Sequence, residues 1–159
     1  MTNDRIQNQL QAFGSQIKTI LTQDLEFIGV GTDICEIHRM QRLFSRWNDK
    51  IAARILSQDE FDLWLQKNRS IHFLAKRWAG KESVVKAIGT GFAKGLRWRE
   101  VSILNDENGK PFVEFLGQTK ALLQCQHQFI HCYISLADEQ ASALGFCVAV
   151  KIKNTISEI

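Results

Sequence analysis

Two hydrophobic periodicities occupy different halves of this chain, and their segregation is what most limits the fold. After residue 97 the sequence turns strand-like: WREVSILN, PFVEFLG, FIHCYISL and SALGFCVAVKI are rich in β-branched and aromatic residues. NDENGKP places Asn108-Gly109 at a turn between the first two, and a short helix is expected around QTKALLQC. Helical spacing dominates earlier. A single strand, FIGVGTDICEI, ends near Asp33; helices follow through HRMQRLFSRW, through SQDEFDLWLQ with Ser57 as its cap, and over residues 71–88. Helices early and strands late predict an α+β fold with helices packed on a largely antiparallel sheet. The 159 residues, 45% of them hydrophobic, suffice for one domain with a real core. Residues 5–25 place Ile6, Leu10, Phe13, Ile17, Ile20 and Leu21 at helical spacing, an amphipathic helix that needs a surface to pack on.

Charge and cysteine usage narrow the function classes. A net charge of +3 permits an acidic partner but falls short of a nucleic-acid-binding composition. No run of 18 apolar residues exists and no secretory signal is recognisable, so a cytoplasmic protein with no membrane partner is expected. Cys35, Cys125, Cys132 and Cys147 contain no CxxC pair and are expected to be reduced and mostly buried. Cys125, His127, His131 and Cys132 crowd together in sequence like a zinc cluster, but the strand composition of FIHCYISL separates the rings.

The chemistry-bearing residues lie in RWAGKESVVKAIGTG. Winding residues 71–89 at about 100° per residue puts Ile71, Leu74, Ala75, Trp78, Val85 and Gly89 on one stripe with Glu82 near its centre, which predicts an inward-facing acid. A desolvated carboxylate either protonates or finds a compensating cation. Lys86, at i+4, is one candidate; a metal ion is the other. GVGTD delivers a second carboxylate, Asp33, which is either a helix-cap or turn residue or a second oxygen ligand. The spacing fails the GxGxxG dinucleotide fingerprint. The glycines of IGTG follow their helix, so Gly89 is a left-handed C-cap, and a phosphate there would need help from a metal and Lys86. Arg39, Arg42 and Arg46 line one face of HRMQRLFSRW, with Met40, Leu43, Phe44 and Trp47 opposite. Such a row is either a solvated surface or a dock for an acidic helix.

FIGVGTDICEIHR, RILSQDEF, FLAKRWAGKESVVKAIGTG, NDENGKP and ISLADE together resemble, in order and spacing, the holo-acyl-carrier-protein synthases, the small bacterial 4′-phosphopantetheinyl transferases. The likeness spans residues 27 to 151. It implies a Mg²⁺-dependent enzyme of fatty acid biosynthesis that moves phosphopantetheine from coenzyme A to a serine of apo acyl carrier protein and releases adenosine 3′,5′-bisphosphate. It further implies that Asp33 and Glu82 ligate the metal and that Lys86, Gly89 and Gly91 contact the coenzyme A phosphates. Gly109, Lys110 and Pro111 match a turn that reaches the nucleotide from a neighbouring subunit of a homotrimer. Arg39 matches a carrier-docking residue, with Arg42, Arg46 and Arg54 as further candidates. Relatives begin near the GxGxD strand, which makes residues 1–26 an extension to a single domain at 27–159.

Two positions depart from the family pattern. Many relatives carry a late histidine where this chain reads Ser135-Leu136-Ala137-Asp138-Glu139, so Asp138 is either a substitute catalytic group or a surface turn residue. Trp78-Ala79-Gly80 replaces a Phe-Ala-Ala type triplet, and Gly80 in mid-helix points to close packing. The proton of the attacking serine goes either to Glu82 through a metal-bound water or to a separate side chain. The alternatives to a transferase are a catalytically silent coenzyme A or acidic-protein binding module and a metal-dependent nucleotide phosphohydrolase.

Overall fold

The computed structural model describes residues 25–92, 95–127 and 129–152. The amphipathic segment expected at 5–25 and the extension at 1–26 lie outside the described residues, apart from Leu25 and Glu26, which already belong to the first strand. In chain order the elements are β1 (Leu25–Glu36), α1 (Ile37–Trp47), α2 (Asp49–Ile55), α3 (Gln58–Gln66), α4 (Ile71–Ile88), a 3-10 turn (Trp98–Glu100), β2 (Val101–Asn105), β3 (Pro111–Phe115), α5 (Gly117–His127), β4 (Phe129–Asp138) and β5 (Ser142–Ile152). The order is the α+β order expected. The strands form two sheets, a three-stranded one ordered β1-β5-β4 and a β2-β3 ribbon, and every pairing is antiparallel.

Helix α4 is the centre of the molecule. It lies on β1, β5 and β4 and is overlaid by α1, α2 and β2. Its approach to the sheet is set by glycines: a Cβ on Gly29 would sit 2.5 Å from the Ala87 carbonyl oxygen, and one on Gly31 would strike the Ser83 carbonyl and lie 2.6 Å from the Ala87 amide. The GVG glycines therefore serve close packing of strand backbone on helix backbone, not flexure of the strand. Gly80 behaves the same way, since a methyl there would lie 2.8 Å from both Ile103 and Leu136.

A buried charge network locks α3, α4 and β2 together. Ser57 caps α3 as expected, its hydroxyl accepting from the Glu60 amide while Glu60 accepts from the Ser57 amide, a capping box. The Glu60 carboxylate also accepts from the Ile103 amide at 3.0 Å and pairs with Lys81 at 2.6 Å, both side chains having no solvent exposure. Lys81 donates its remaining protons to the carbonyls of Ile55 and Trp98. Burial draws its ammonium down to about 8, against the pull of Glu60.

Among the described residues, the other face of the three-stranded sheet carries no helix. A register shift between Phe27 and Gly29 puts Phe27 and Val30 on the same outward side, with Ile34, Leu144, Phe146, Phe129 and Tyr133 beside them. These seven side chains are 38 to 65% exposed, an apolar surface well beyond isolated exposed residues. Among the described residues, no helix is long and apolar enough to cross a membrane. All four cysteines are free, three buried and Cys125 exposed. His131 and Cys132 alternate across β4, and no three metal-ligating side chains converge among the described residues.

Candidate active site

Asp33 stands on the helix-facing side of β1, inside the strand, which runs on to Glu36. The cap reading of Asp33 is thereby excluded, because the residue before α1 is Glu36, whose side chain makes no cap bond. Asp33 Oδ1 accepts a 2.7 Å hydrogen bond from Lys86 Nζ, which also donates to the Thr32 carbonyl at 3.0 Å. Lys86 thus serves the strand and not Glu82, so the simple i, i+4 pair does not form. Glu82 has no ion-pair partner among the described residues.

The inward placement of Glu82 needs correction. Leu74, Ala75 and Val85 are buried as expected, but so are Arg77, Lys81 and Ser83 on other faces, while Trp78, Glu82, Lys86 and Gly89 form the least buried stripe of α4. The helix is enclosed on nearly every side, so its apolar periodicity is weak and cannot point to the one face left open. That opening is where Glu82 and Lys86 meet Asp33. The Glu82 carboxyl is pushed up by partial burial and then by the negative charge of Asp33, with Lys86 and Arg39 pulling the other way. Two acids in mutual repulsion on a half-open face, with one lysine between elements, make a donor set suited to a hard divalent cation.

The helix ends beside this opening as the sequence predicts. Gly89 is left-handed at φ 80°, its amide donating to the carbonyls of Val85 and Lys86, and Gly91 is also at positive φ. Nothing lies within 4 Å of a methyl placed on either glycine, so the loop borders open space. Between them the Thr90 hydroxyl is buried with no hydrogen-bond partner among the described residues.

Asp138, Gly109, Lys110 and Pro111 sit elsewhere. Asp138 ends β4 and is held by Lys76 at 2.7 Å and His72 at 3.0 Å, which keep its carboxyl below the ordinary carboxylate range and make it a poor proton acceptor. Lys76 and His72 precede Glu82 by six and ten residues, about 9 and 15 Å along the helix. The 106–110 loop is organised by Asp106, which accepts from the amides of Asn108 and Lys110, and by Gly109 at φ 81°. Gly109 and Pro111 line a cavity of about 480 Å³ with Lys67, Phe73, Lys76 and Arg77. Arg77 Nε is buried there without a hydrogen-bond partner, 3.6 Å from Glu60. Within one chain, then, the expected site divides into two groups at opposite ends of α4.

A family model for the 4′-phosphopantetheinyl transferase superfamily matches residues 29–146, a span that holds Asp33, Glu82, Lys86, both loop glycines and Asp138. The chain belongs to the 4′-phosphopantetheinyl transferase superfamily. It is 41% identical over 121 residues to the holo-[acyl-carrier-protein] synthase of Aliivibrio fischeri, covering 76% of this chain and 95% of that relative. Among solved structures it is similar to holo-[acyl-carrier-protein] synthase from Neisseria meningitidis, with a TM-score of 0.73, 33% identity, and 78% of this chain and 98% of that one covered. It also resembles the Bacillus anthracis holo-(acyl-carrier-protein) synthase in complex with CoA (3′,5′-ADP), at a TM-score of 0.63 and 27% identity, covering 79% and 97% of the two chains.

In this transferase chain one basic residue of the first helix, Arg39, reaches the opening, and Arg42, Arg46 and Arg54 lie elsewhere on the first two helices. Arg39 lies 5.7 Å over the ring of Trp78, which is one turn before Glu82. Trp78 stacks on Trp98 at 4.4 Å, and Trp98 on Phe92 at 3.9 Å, so a four-layer stack runs from α1 to the glycine loop. Arg42 is exposed, and Arg46 lies over Trp47. Trp47 is 49% exposed instead of joining Met40, Leu43 and Phe44 against the core, because α1 terminates there and its ring projects past the core edge. Arg54 lines a cleft of about 340 Å³ with Trp47, Lys50 and Ile51. The sequence reading missed Lys76, Arg77 and the aromatic stack. The dipeptide Lys76-Arg77 before Trp78 was a visible signal, whereas the stack joins residues 20 apart and left none.

Proposed function

We propose that this protein transfers 4′-phosphopantetheine from coenzyme A to a serine of apo acyl carrier protein and releases adenosine 3′,5′-bisphosphate. The observation that carries the reading is the meeting of Asp33 from β1 with Glu82 and Lys86 from α4 beside an open left-handed glycine loop, in a chain of this superfamily. The serine oxygen forms a new bond to the β-phosphorus while the bond to the bisphosphate oxygen breaks. Asp33 and Glu82 would hold Mg²⁺, which supplies charge neutralisation on the phosphoryl oxygens when bound. Lys86, held by Thr32 and Asp33 of the strand, offers its ammonium to the diphosphate. Glu82, the carboxylate of higher proton affinity, is positioned to take the serine proton, and Asp138, held charged by Lys76, is not.

Gly109, Lys110, Pro111 and the cavity containing Arg77 form the nucleotide end of the site, the Arg77 Nε without a partner being suited to a phosphate oxygen. Because one chain holds the two ends far apart, the complete site forms between subunits. The apolar sheet face that the described residues leave open is the surface that would join them into a homotrimer. Arg39, Arg42, Arg46 and Arg54 face the acidic carrier, and the reaction belongs in the cytoplasm. Incubation with apo acyl carrier protein, coenzyme A and Mg²⁺ should add phosphopantetheine mass to the carrier. No added mass would overturn the transferase reading in favour of a silent binding module, and bisphosphate release without carrier would mark a phosphohydrolase. Sedimentation of the full chain tests the assembly, with a monomer at micromolar concentration as the refuting result.

A further inference from the structure

Past the first helix the positive surface continues. The cleft holding Arg54, Lys50 and Trp47 shares Arg54 with a second, larger cavity of about 600 Å³, whose lining includes Gln58, Arg97, Trp98, Arg99 and Leu116. Arg97 and Arg99 flank Trp98 on the 3-10 turn and are exposed, the Arg97 side chain to 58%. The one acid lining this cavity, Glu100, is shared: its carboxylate accepts the Thr119 amide at 2.7 Å at the start of α5 and lies 3.6 Å from the Arg97 guanidinium, and against partial burial these partners hold it low. Arg54 and Arg99 have no ion-pair partner among the described residues. Three guanidinium groups against the single Glu100 carboxylate leave an excess of positive charge at this cavity, which an approaching anionic surface would offset.

The aromatic stack joins this cavity to the carrier-facing helix. Trp98 lines the cavity and is packed on Trp78, whose opposite neighbour is the Arg39 guanidinium. A protein partner of ordinary interface size covers about 800 Å² on each side, a patch roughly 30 Å across. An acidic protein docked on Arg39 therefore extends over Trp78 and Trp98 to the next two arginines. Resting on the transferase reading above, we infer that the carrier-protein contact continues from α1 across the tryptophan stack onto the 3-10 turn, where Arg97 and Arg99 are additional specificity residues for the acidic carrier. Arg54 is the hinge between the two clefts and belongs to both.

The test is the charge-reversed variant Arg97→Glu/Arg99→Glu of the full chain, with Arg97→Gln/Arg99→Gln beside it, assayed with carrier varied at saturating coenzyme A and then the reverse. The expected result is a KM for carrier raised about tenfold by reversal and less by neutralisation. The salt dependence of the carrier kcat/KM should flatten, while the KM for coenzyme A stays within twofold. Thermal melting of both variants separates a lost contact from a lost fold, because Arg97 lies near Glu100 at only 3.6 Å and exposed. An unchanged carrier KM, or equal losses for both substrates in a folded variant, overturns the inference. Wild-type protein and Arg39→Glu run in parallel keep the two levels apart. A wild type that fails to modify the carrier defeats the transferase reading, whereas an Arg39 effect without an Arg97/Arg99 effect defeats only the extended surface.

Discussion

Gly31→Ala probes the join between strand and helix that creates the site. The added methyl would overlap the Ser83 carbonyl oxygen, lie 2.6 Å from the Ala87 amide nitrogen and 2.9 Å from Lys86 Cβ. Two of these three neighbours are helix backbone, which cannot rotate out of the way. Restoring an ordinary contact of 3.4 Å to the amide alone requires strand and helix to part by about 0.8 Å, and relieving the carbonyl requires more. Overpacking of this kind costs about 1–3 kcal/mol, which lowers the melting temperature but leaves a stable domain folded. The catalytic loss should be larger than the stability loss. Asp33 is two residues along the same strand face, and magnesium–oxygen distances of about 2.0–2.1 Å tolerate errors of only about 0.2 Å. Separating Asp33 from Glu82 by several tenths of an ångström should reduce holo-carrier formation at least about 100-fold and weaken the apparent Mg²⁺ requirement curve. The assay is mass-resolved conversion of apo carrier at a series of Mg²⁺ concentrations, together with thermal melting. Gly95→Ala is the control, because a methyl there meets only the Leu122 side chain at 3.4 Å and the expense is backbone strain at φ 100°, about 1–2 kcal/mol. A Gly31→Ala protein with wild-type melting and wild-type turnover would refute the backbone-contact argument.

The acids themselves give a sharper separation of fold from chemistry: Glu82→Gln and Asp33→Asn should each lose most carrier modification while Glu82→Gln melts no lower than wild type, since it removes a carboxyl already disfavoured as an anion. Equal turnover in both variants and wild type would remove the metal site. Lys81→Met strands a fully buried Glu60 and should cost about 3–5 kcal/mol, whereas Lys81→Met/Glu60→Gln should cost less than the two single changes added together, measured by denaturant unfolding. Additive losses would mean that the pair is not coupled. Asp138→Asn tests the other carboxylate by pH. Because Lys76 and His72 hold the folded Asp138 below its ordinary 3.8, its contribution is complete above that value and vanishes as pH falls through the folded one. The stability gap to the variant should therefore be about 1 kcal/mol at most near neutrality and close below pH 3.8, by thermal melts across pH. A gap that widens in acid contradicts the sign.

Much of this arrangement was legible because it is written in short-range signals. Ser57 gave the start of α3, Gly89 gave the end of α4, and the order of strand-like segments gave the class. The carboxylates Asp33 and Glu82 were found from residue type and spacing, although neither distance nor direction could follow from them. Glu82 was turned the wrong way because a helix wrapped on nearly all sides has no clean apolar stripe. Trp47 was grouped with the apolar side of α1, yet it is exposed, because periodicity does not register where a helix outruns its support. The Arg77 cavity and the Trp78–Trp98–Phe92 stack are built between residues distant in sequence, so only the packed chain reveals them.

The adjacent residues Lys81 and Glu82 look in different directions: the lysine is sealed against Glu60 with no exposure, and the glutamate lies on the half-open face shared with Asp33. This divergent placement makes the helix intolerant of indels even where side-chain swaps are mild. One residue inserted between Ser70 and Lys81 rotates everything beyond it by about 100°, carrying the ammonium away from its carbonyls and sweeping the acid toward apolar neighbours. Lineages of this enzyme can therefore drift in composition along α4 far more readily than in its length.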